Sequence, residues 1–220
     1  MTLPRKFDPF ALPKRAFDLA VSTTGLLLIW PLFVIISIAV KVDSPGPIFF
    51  LQNRVGLGES VFRIIKFRTM IANAESFGLR ITESGNARVT RVGKILRKWK
   101  LDELPQLMNV FLGDMSIVGP RPEVPEFVNL VEPKKRALLF SIRPGITDYA
   151  TIKFRYEEEL LSTVEDPETY YVTKILPAKY KMHEKYILER HFWMDLKIIG
   201  YTFYEIVKIR EPQDDKKNCC

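Results

Sequence analysis

Two adjacent carboxylates, Asp102 and Glu103, follow a run of cations made of Arg91, Lys94, Arg97, Lys98 and Lys100. The stretch continues through Leu104-Pro105-Gln106 and closes on Gly119-Pro120-Arg121-Pro122, a rigid turn with one guanidinium. Carboxylates held among cations suit chemistry on a polyanion. An ionised carboxylate can attack or bind a metal ion, and the cations offset the charge that gathers there. Asp102 is also well placed to N-cap a helix running to about Phe111, with Pro105 tolerated in its first turn. At a helix N-terminus the macrodipole favours negative charge, so both carboxylates are expected to stay ionised. Taken alone, the pair is explained more readily by helix capping.

More cations lie upstream and downstream. Val61 to Met70 alternates as a strand does, which puts Phe62, Ile64, Lys66, Arg68 and Met70 on one face. Lys66 and Arg68 then project together, about 7 Å apart along the strand. Such a pair can grip a diphosphate, or it can line a solvated strand edge. Arg143 sits in a second turn, Ser141 to Thr147. From about Thr90 a helix carries Val92, Ile95, Leu96 and Trp99 on one stripe, with Arg91, Lys94, Arg97 and Lys98 away from it. A basic amphipathic helix with a tryptophan fits a membrane interface or an ordinary packed surface.

The elements that must hold these groups include one apolar segment. No charge falls between Asp18 and Lys41, and Leu19 to Val40 is just long enough to cross a bilayer, which takes roughly 20 residues. It is too long for a cleaved signal peptide and no small-residue cleavage site follows. Pro31 lies near its centre, removes a helical hydrogen bond and predicts a kink. Both flanks are basic: Lys14 and Arg15 before, Lys41 and later Arg54 after. Cations on both sides fit a helix that dips in and returns, while a bent spanning helix fits the length.

The rest reads as mixed secondary structure. Ile48 to Gln52 is a short strand, Val55 to Gly58 a turn, and residues 71–90 a polar loop. Pro122 to Val131 and Lys134 to Phe140 are expected helices, Ile117-Val118 and Tyr149 to Phe154 expected strands, and Glu157 to Glu159 a solvated helix start. Pro177 to Arg190 and Phe192 to Ile209 are helical; the second is apolar but contains Asp195, Lys197 and Glu205, so it should lie at an interface or pack rather than span.

The 220 residues allow one domain with appendages and a real core. Net charge is +7, which favours anionic partners: phosphates, lipid headgroups or nucleic acid. The cysteines, Cys219 and Cys220, offer neither a disulfide framework nor metal-ligand spacing, and His183 and His191 match no zinc motif. A metal here would be a hard ion on oxygen ligands, such as Mg²⁺.

In order, Lys14-Arg15-Ala16-Phe17-Asp18, the proline-interrupted apolar segment, Lys66-Phe67-Arg68-Thr69-Met70, Leu101-Asp102-Glu103-Leu104-Pro105-Gln106, Gly113-Asp114-Met115-Ser116, Gly119-Pro120-Arg121-Pro122 and Arg143-Pro144-Gly145-Ile146-Thr147 resemble the bacterial sugar transferases, small monotopic phosphoglycosyl transferases. The resemblance implies transfer of a sugar-1-phosphate from a UDP-sugar to a polyprenyl phosphate, usually undecaprenyl phosphate, with release of UMP and use of Mg²⁺. It implies that Asp102 is a nucleophile forming a phosphosugar ester, and that Glu103 orients it or helps hold Mg²⁺. Lys66, Arg68, Arg97, Arg121 and Arg143 become candidates for phosphate contacts. The implied fold is α+β, mostly helical with a small β-sheet, an N-terminal re-entrant membrane helix broken at Pro31, and interfacial amphipathic helices. Its parts would be an arm (1–13), the re-entrant helix (14–43), a cytoplasmic catalytic domain (44–210) and a tail (211–220), at the cytoplasmic face of the bacterial inner membrane. A lipid bilayer is an expected partner and nucleic acid is not; oligomeric state is left open. Longer relatives carry N-terminal spanning segments, so the chain is expected to be a minimal form.

Two departures stand out. After Pro-Gly-Ile-Thr the family commonly continues Gly-Trp-Ala-Gln-Val-Asn-Gly-Arg, where this chain has Asp148-Tyr149-Ala150-Thr151-Ile152-Lys153-Phe154-Arg155. Trp30 stands before the proline where serine is common. The competing reading is a membrane-anchored basic scaffold for anionic lipid or nucleic acid, which would gain nothing from carboxylates inside a cationic patch.

Overall fold

The computed structural model describes residues 10–71 and 87–208. Most of the N-terminal arm, most of the polar loop and the C-terminal tail therefore lie outside the described residues.

The chain begins with α1 (Ala11–Asp43), a single helix of 33 residues with Pro31 inside it. At 1.5 Å per residue it is about 50 Å long. Helical geometry is continuous through Pro31, so the chain does not leave the helix there and a change of direction would be a bend within α1. Proline forfeits one hydrogen bond, and one face of the helix is packed on both sides of it. That face runs Lys14, Asp18, Ser22, Gly25, Ile29, Phe33, Ile36 and Val40, at steps of three and four. The opposite face exposes Leu27, Leu28, Trp30, Val34, Ile35, Ile38 and Val42. α1 thus buries polar side chains in its N-terminal half and exposes large apolar ones mainly from Leu27 onward, the reverse of a water-soluble helix.

Both ends of α1 are fastened to the rest of the protein. Near the N-terminus, Lys14 Nζ pairs with Asp195 Oδ2 at 2.5 Å, and Asp195 Oδ1 accepts the Tyr186 hydroxyl at 2.7 Å. Asp18 Oδ1 accepts the Ile117 amide at 3.0 Å. Arg15 donates to the carbonyls of Val110 and Phe111. At the C-terminal end Ile36 and Val40 pack with Phe67 and Leu96.

Next come β1 (Phe49–Val55) and β2 (Val61–Phe67), an antiparallel hairpin in the register Phe49 with Phe67 and Val55 with Val61. The strand expected to reach Met70 stops at Phe67, and Met70 makes only an isolated bridge to Val89. α2 (Arg91–Lys98) follows, capped by Thr90 Oγ1 accepting from Gly93 N at 3.0 Å. A 3₁₀ turn (Leu101–Glu103) leads to α3 (Gln106–Leu112). Then come β3 (Ser116–Val118), α4 (Pro125–Val128), α5 (Pro133–Leu139), β4 (Gly145–Thr147), α6 (Tyr149–Lys153), α7 (Glu157–Leu161) and α8 (Pro167–Tyr170). A π-helical turn (Tyr171–Ile175) joins α8 to α9 (Leu176–Glu189), and α10 (Phe192–Val207) closes the described chain. The architecture is mostly helical with two small sheets, an α+β fold.

Two expectations fail locally. Gly145 to Thr147, expected as a turn, is a strand parallel to β3. Residues 149–153, expected as a strand, form α6, because Asp148 Oδ1 caps it by accepting the Thr151 amide at 2.6 Å. The main core joins β2, α3, β3, α9 and α10 through Ile64, Val110, Met115, Ile117, Val118, Tyr186 and Ile198.

Candidate active site

Asp102 and Glu103 sit in the 3₁₀ turn between α2 and α3. The residue before it, Lys100, is in the left-handed region (φ 56°), which a non-glycine residue adopts only when its surroundings hold it there. That reversal turns the chain sharply out of α2. Asp102 does not cap α3, whose N-cap is Pro105 with no side-chain cap bond. It is 8% exposed, and its Oδ1 is buried with no hydrogen-bond partner. Capping therefore does not explain the aspartate.

Glu103 is engaged. Its Oε1 accepts from Lys66 Nζ at 2.9 Å and from Arg121 Nη2 at 2.5 Å, and its Oε2 from Arg121 Nη1 at 3.3 Å. The bidentate guanidinium fixes the glutamate in orientation as well as charge.

The two carboxyls are driven apart. Burial raises the pKa of Asp102, and the adjacent Glu103 charge raises it further, against the pull of Lys66, Lys100 and Arg97. Burial alone would also raise Glu103, but Arg121 and Lys66 overcome it and hold that carboxyl well below the usual range. Glu103 in turn raises Arg121, while burial lowers Lys66 despite Glu103. Burial and neighbouring charges, rather than a helix macrodipole, set both shifts: the cations hold Glu103 down, and burial with the Glu103 charge raises Asp102.

β2 delivers Lys66, and a contact between two distant turns delivers Arg121. Gly119 N donates to Thr147 O at 3.0 Å and Gly145 N to Pro120 O at 2.9 Å. A Cβ on Gly145 would lie 2.1 Å from Gly119 N, so the backbones touch. Arg97 joins from α2, with its Nε donating to Thr69 Oγ1 at 2.9 Å and its Nη1 lying 3.4 Å from Glu158 Oε1. Lys66, Arg97, Asp102, Glu103 and Arg121 line one cleft.

Arg68 lines the same cleft, while Arg143 does not. Arg68 is buried and donates to the carbonyls of Pro45, Ser44 and Val40, so its guanidinium caps the C-terminal end of α1. Arg143 Nε donates to Gly113 O at 2.8 Å, beyond the end of α3. Neither has a contact to Asp102 or Glu103 among the described residues.

Sequence reasoning missed a second layer. Arg54 donates to Gln52 Oε1 at 2.7 Å and to Pro122 O at 3.1 Å, and burial lowers its pKa against the nearby Glu123 charge. Glu123 accepts the Tyr171 hydroxyl at 3.1 Å. Period two along β1 could have found Gln52 and Arg54, which lie opposite Ile64 and Phe62 on the face that carries Lys66. Glu123 directly follows Gly-Pro-Arg-Pro. Glu157, expected in solvent, pairs with the buried Lys179 at 2.5 Å. Asp148, one of the departures, lies 2.7 Å from His183 Nε2 with both side chains buried.

Among the described residues no three acids, histidines or cysteines gather as a metal site. The free, buried Oδ1 of Asp102 nonetheless suits a Mg²⁺ that arrives with a phosphate ligand, since Mg²⁺ is usually held by one or two carboxylates plus substrate oxygens and water. Both Glu103 oxygens are already taken.

The chemistry available is attack by a buried carboxylate on an anionic centre beside fixed cations. A model of the bacterial sugar transferases matches residues 10–209. The chain belongs to the bacterial sugar transferase family. It is 36% identical over 201 residues to a UDP-N-acetylgalactosamine-undecaprenyl-phosphate N-acetylgalactosaminephosphotransferase of Aeromonas hydrophila, covering 90% of this chain and 44% of that one. It is 36% identical over 197 residues to a UDP-glucose:undecaprenyl-phosphate glucose-1-phosphate transferase of Escherichia coli (strain K12), covering 87% and 39%. A protein of the same description from Caulobacter vibrioides is 36% identical over 193 residues, covering 87% and 68%. The chain thus spans less than half the length of the first two relatives.

Proposed function

We propose that this family member transfers a sugar-1-phosphate from a UDP-sugar to a polyprenyl phosphate, undecaprenyl phosphate in the bacterial inner membrane, and releases UMP. The observation that carries this is Asp102: a buried carboxylate with a free oxygen, beside a glutamate that two cations already neutralise. In the first step a carboxylate oxygen of Asp102 bonds to the sugar-bearing phosphorus, and the bond to the bridging oxygen breaks, releasing UMP. In the second, an oxygen of the lipid phosphate bonds to that phosphorus and the aspartyl oxygen leaves, restoring the carboxylate. The acceptor is already an anion, so no strong general base is needed.

Arg121 and Arg97 border the cleft with guanidinium groups suited to phosphate oxygens. Lys66 and Arg121 hold Glu103, which keeps a second negative charge from pressing on the diphosphate and fixes the turn that aims Asp102. Asp102 would hold Mg²⁺ through the oxygen not used in attack; Glu103 would reach it only by giving up a contact to Lys66 or Arg121. The ion would supply Lewis-acid neutralisation of the diphosphate.

We infer further that α1 enters the bilayer and returns to one side. Its apolar outer face supports membrane burial. Its two ends are fastened to the same domain, by Lys14 to Asp195 and by Arg68 to the carbonyls of Val40 and Ser44. A straight spanning helix would place those ends across about 30 Å of hydrocarbon from each other. The shared fastening supports a cytoplasmic catalytic domain. On α10, Trp193, Tyr201, Phe203 and Tyr204 are exposed, which suits an interfacial helix. The product would begin assembly of a bacterial polysaccharide or glycoconjugate on its lipid carrier.

The test is UMP release from a panel of UDP-sugars with undecaprenyl phosphate and Mg²⁺. Release from at least one sugar, dependent on the lipid for sustained turnover, is the expected result. Folded protein that releases no UMP from any of them would overturn the proposal.

A further inference from the structure

The orientation of α2 is not the one its hydrophobic pattern gives. Val92, Ile95, Leu96 and Trp99 share a stripe, yet Leu96 is 3% exposed while Ile95 and Trp99 are 59% and 42% exposed. The cause is Gly93. Its backbone lies on Thr69, and a Cβ there would stand 2.1 Å from Thr69 O. This contact rolls the helix so that Gly93 and Leu96 face the domain and Arg91, Lys94, Ile95, Lys98 and Trp99 are exposed, with Lys94, Lys98 and Trp99 also lining the cleft that holds Asp102. The exposed set falls at i, i+3, i+4, i+7 and i+8, a single stripe of three cations around two apolar side chains. Among the described residues none of the three cations is in a salt bridge.

The stripe continues from the lipid-facing end of α1. Asp43 Oδ2, on the last residue of α1, accepts the Val92 amide at 3.0 Å, and Val40 and Ile36 pack against Leu96. Exposed Ile38 and Val42 lie on that same end of α1. We propose that this face of α2 binds the anionic phospholipids of the surrounding bilayer, with Arg91, Lys94 and Lys98 on headgroup phosphates and Ile95 and Trp99 among the upper acyl carbons. Cations alone would fit many anions. Apolar groups set between them fit a surface where phosphate and hydrocarbon meet. The inference rests on the membrane reading of α1 and adds headgroup selectivity at a second element.

The test uses the full chain in phosphatidylcholine nanodiscs. The Trp30→Phe, Trp193→Phe variant leaves Trp99 as its only tryptophan. A fixed minor fraction of brominated lipid is added, either phosphatidylglycerol or phosphatidylcholine. Attraction near the surface is worth about 1 kcal/mol per cation, roughly fivefold in local concentration. Brominated phosphatidylglycerol should therefore quench Trp99 several-fold more strongly. Adding Arg91→Gln, Lys94→Gln and Lys98→Gln should make the two lipids equal, and 0.5 M salt should shrink the difference. Equal quenching in the unsubstituted cations would overturn the proposal. So would loss of the difference on adding polyprenyl phosphate, which would assign the face to the acceptor. A matching variant with only Trp30, on α1, should be quenched by both lipids alike; if it is quenched by neither, the membrane reading falls and this inference with it.

Discussion

Gly93→Ala tests how the fold places the active site, and Gly200→Ala is its control. Both replace a helical glycine by alanine, which by propensity alone stabilises by about 1 kcal/mol. At Gly200, on exposed α10, an added Cβ meets nothing within 4 Å. That variant should gain up to about 1 kcal/mol and melt roughly 2–4 °C higher, with unchanged turnover. At Gly93 the Cβ would meet the Thr69 backbone at 2.1, 2.8 and 2.9 Å. Reaching even 3.0 Å from the nearest atom needs α2 to recede by roughly 1 Å. Overpacking of this kind costs about 1–3 kcal/mol. Set against the propensity gain, up to about 2 kcal/mol of destabilisation remains, a fall of several degrees. The same recession pulls Arg97 from Thr69 Oγ1, now 2.9 Å from its Nε, and loosens Thr90 N from Thr69 O at 3.0 Å. A displacement of that size near reacting groups costs about 10²-fold. Thermal melts in nanodiscs and initial rates of UMP release read both effects. Gly93→Ala that melts at or above the wild type with full activity would refute the claim that the Thr69 contact sets the roll of α2 and the place of Arg97.

Two further outcomes follow from buried charge. Because the pKa of Asp102 is raised, the folded state binds its proton more tightly than the unfolded chain, so the ionised group costs stability at neutral pH and the cost disappears as pH falls through the raised value. Asp102→Asn should therefore abolish UMP release yet melt at least as high as the wild type at pH 7, and the acid limb of the wild-type rate profile should lie above the ordinary aspartate value; a destabilised variant, or an acid limb at that ordinary value, would count against the burial argument. Asp195→Asn leaves the Lys14 ammonium buried and unpaired, which costs about 3–5 kcal/mol, so it should release the N-terminal end of α1 to added protease; Lys14→Met with Asp195→Leu should recover much of the loss, and protection unchanged in the single variant would contradict the fastening.

Periodicity carried the long elements. α1, α9 and α10 were legible because each has enough turns to show its pattern, and the helix beginning at Thr90 because a capping threonine precedes it. Lys66, Arg97, Arg121, Asp102 and Glu103 were legible as a set because charged side chains in motif order have little else to do than meet. The carbonyl partners of Arg68 and Arg143 were not legible, because a guanidinium that donates to carbonyls looks, in sequence, like one that is free for phosphate. Strand β4 was hidden because Gly145 pairs with a segment more than twenty residues away, and nothing local marks it. Asp148 fixed a helix where alternation suggested a strand, since a side-chain cap outweighs a weak pattern over five residues. The roll of α2 was hidden because a backbone contact at Gly93, not side-chain hydrophobicity, decides it.

The central claim is that Asp102 carries the phosphosugar. The direct measurement is to mix the protein with UDP-sugar and Mg²⁺ without lipid acceptor, quench, and map the mass by peptide. The account predicts one stoichiometric sugar-phosphate adduct on the peptide containing Asp102, formed with one equivalent of UMP and discharged by undecaprenyl phosphate. An adduct on another residue, or UMP formed only when the lipid is present and never with an adduct, would contradict it.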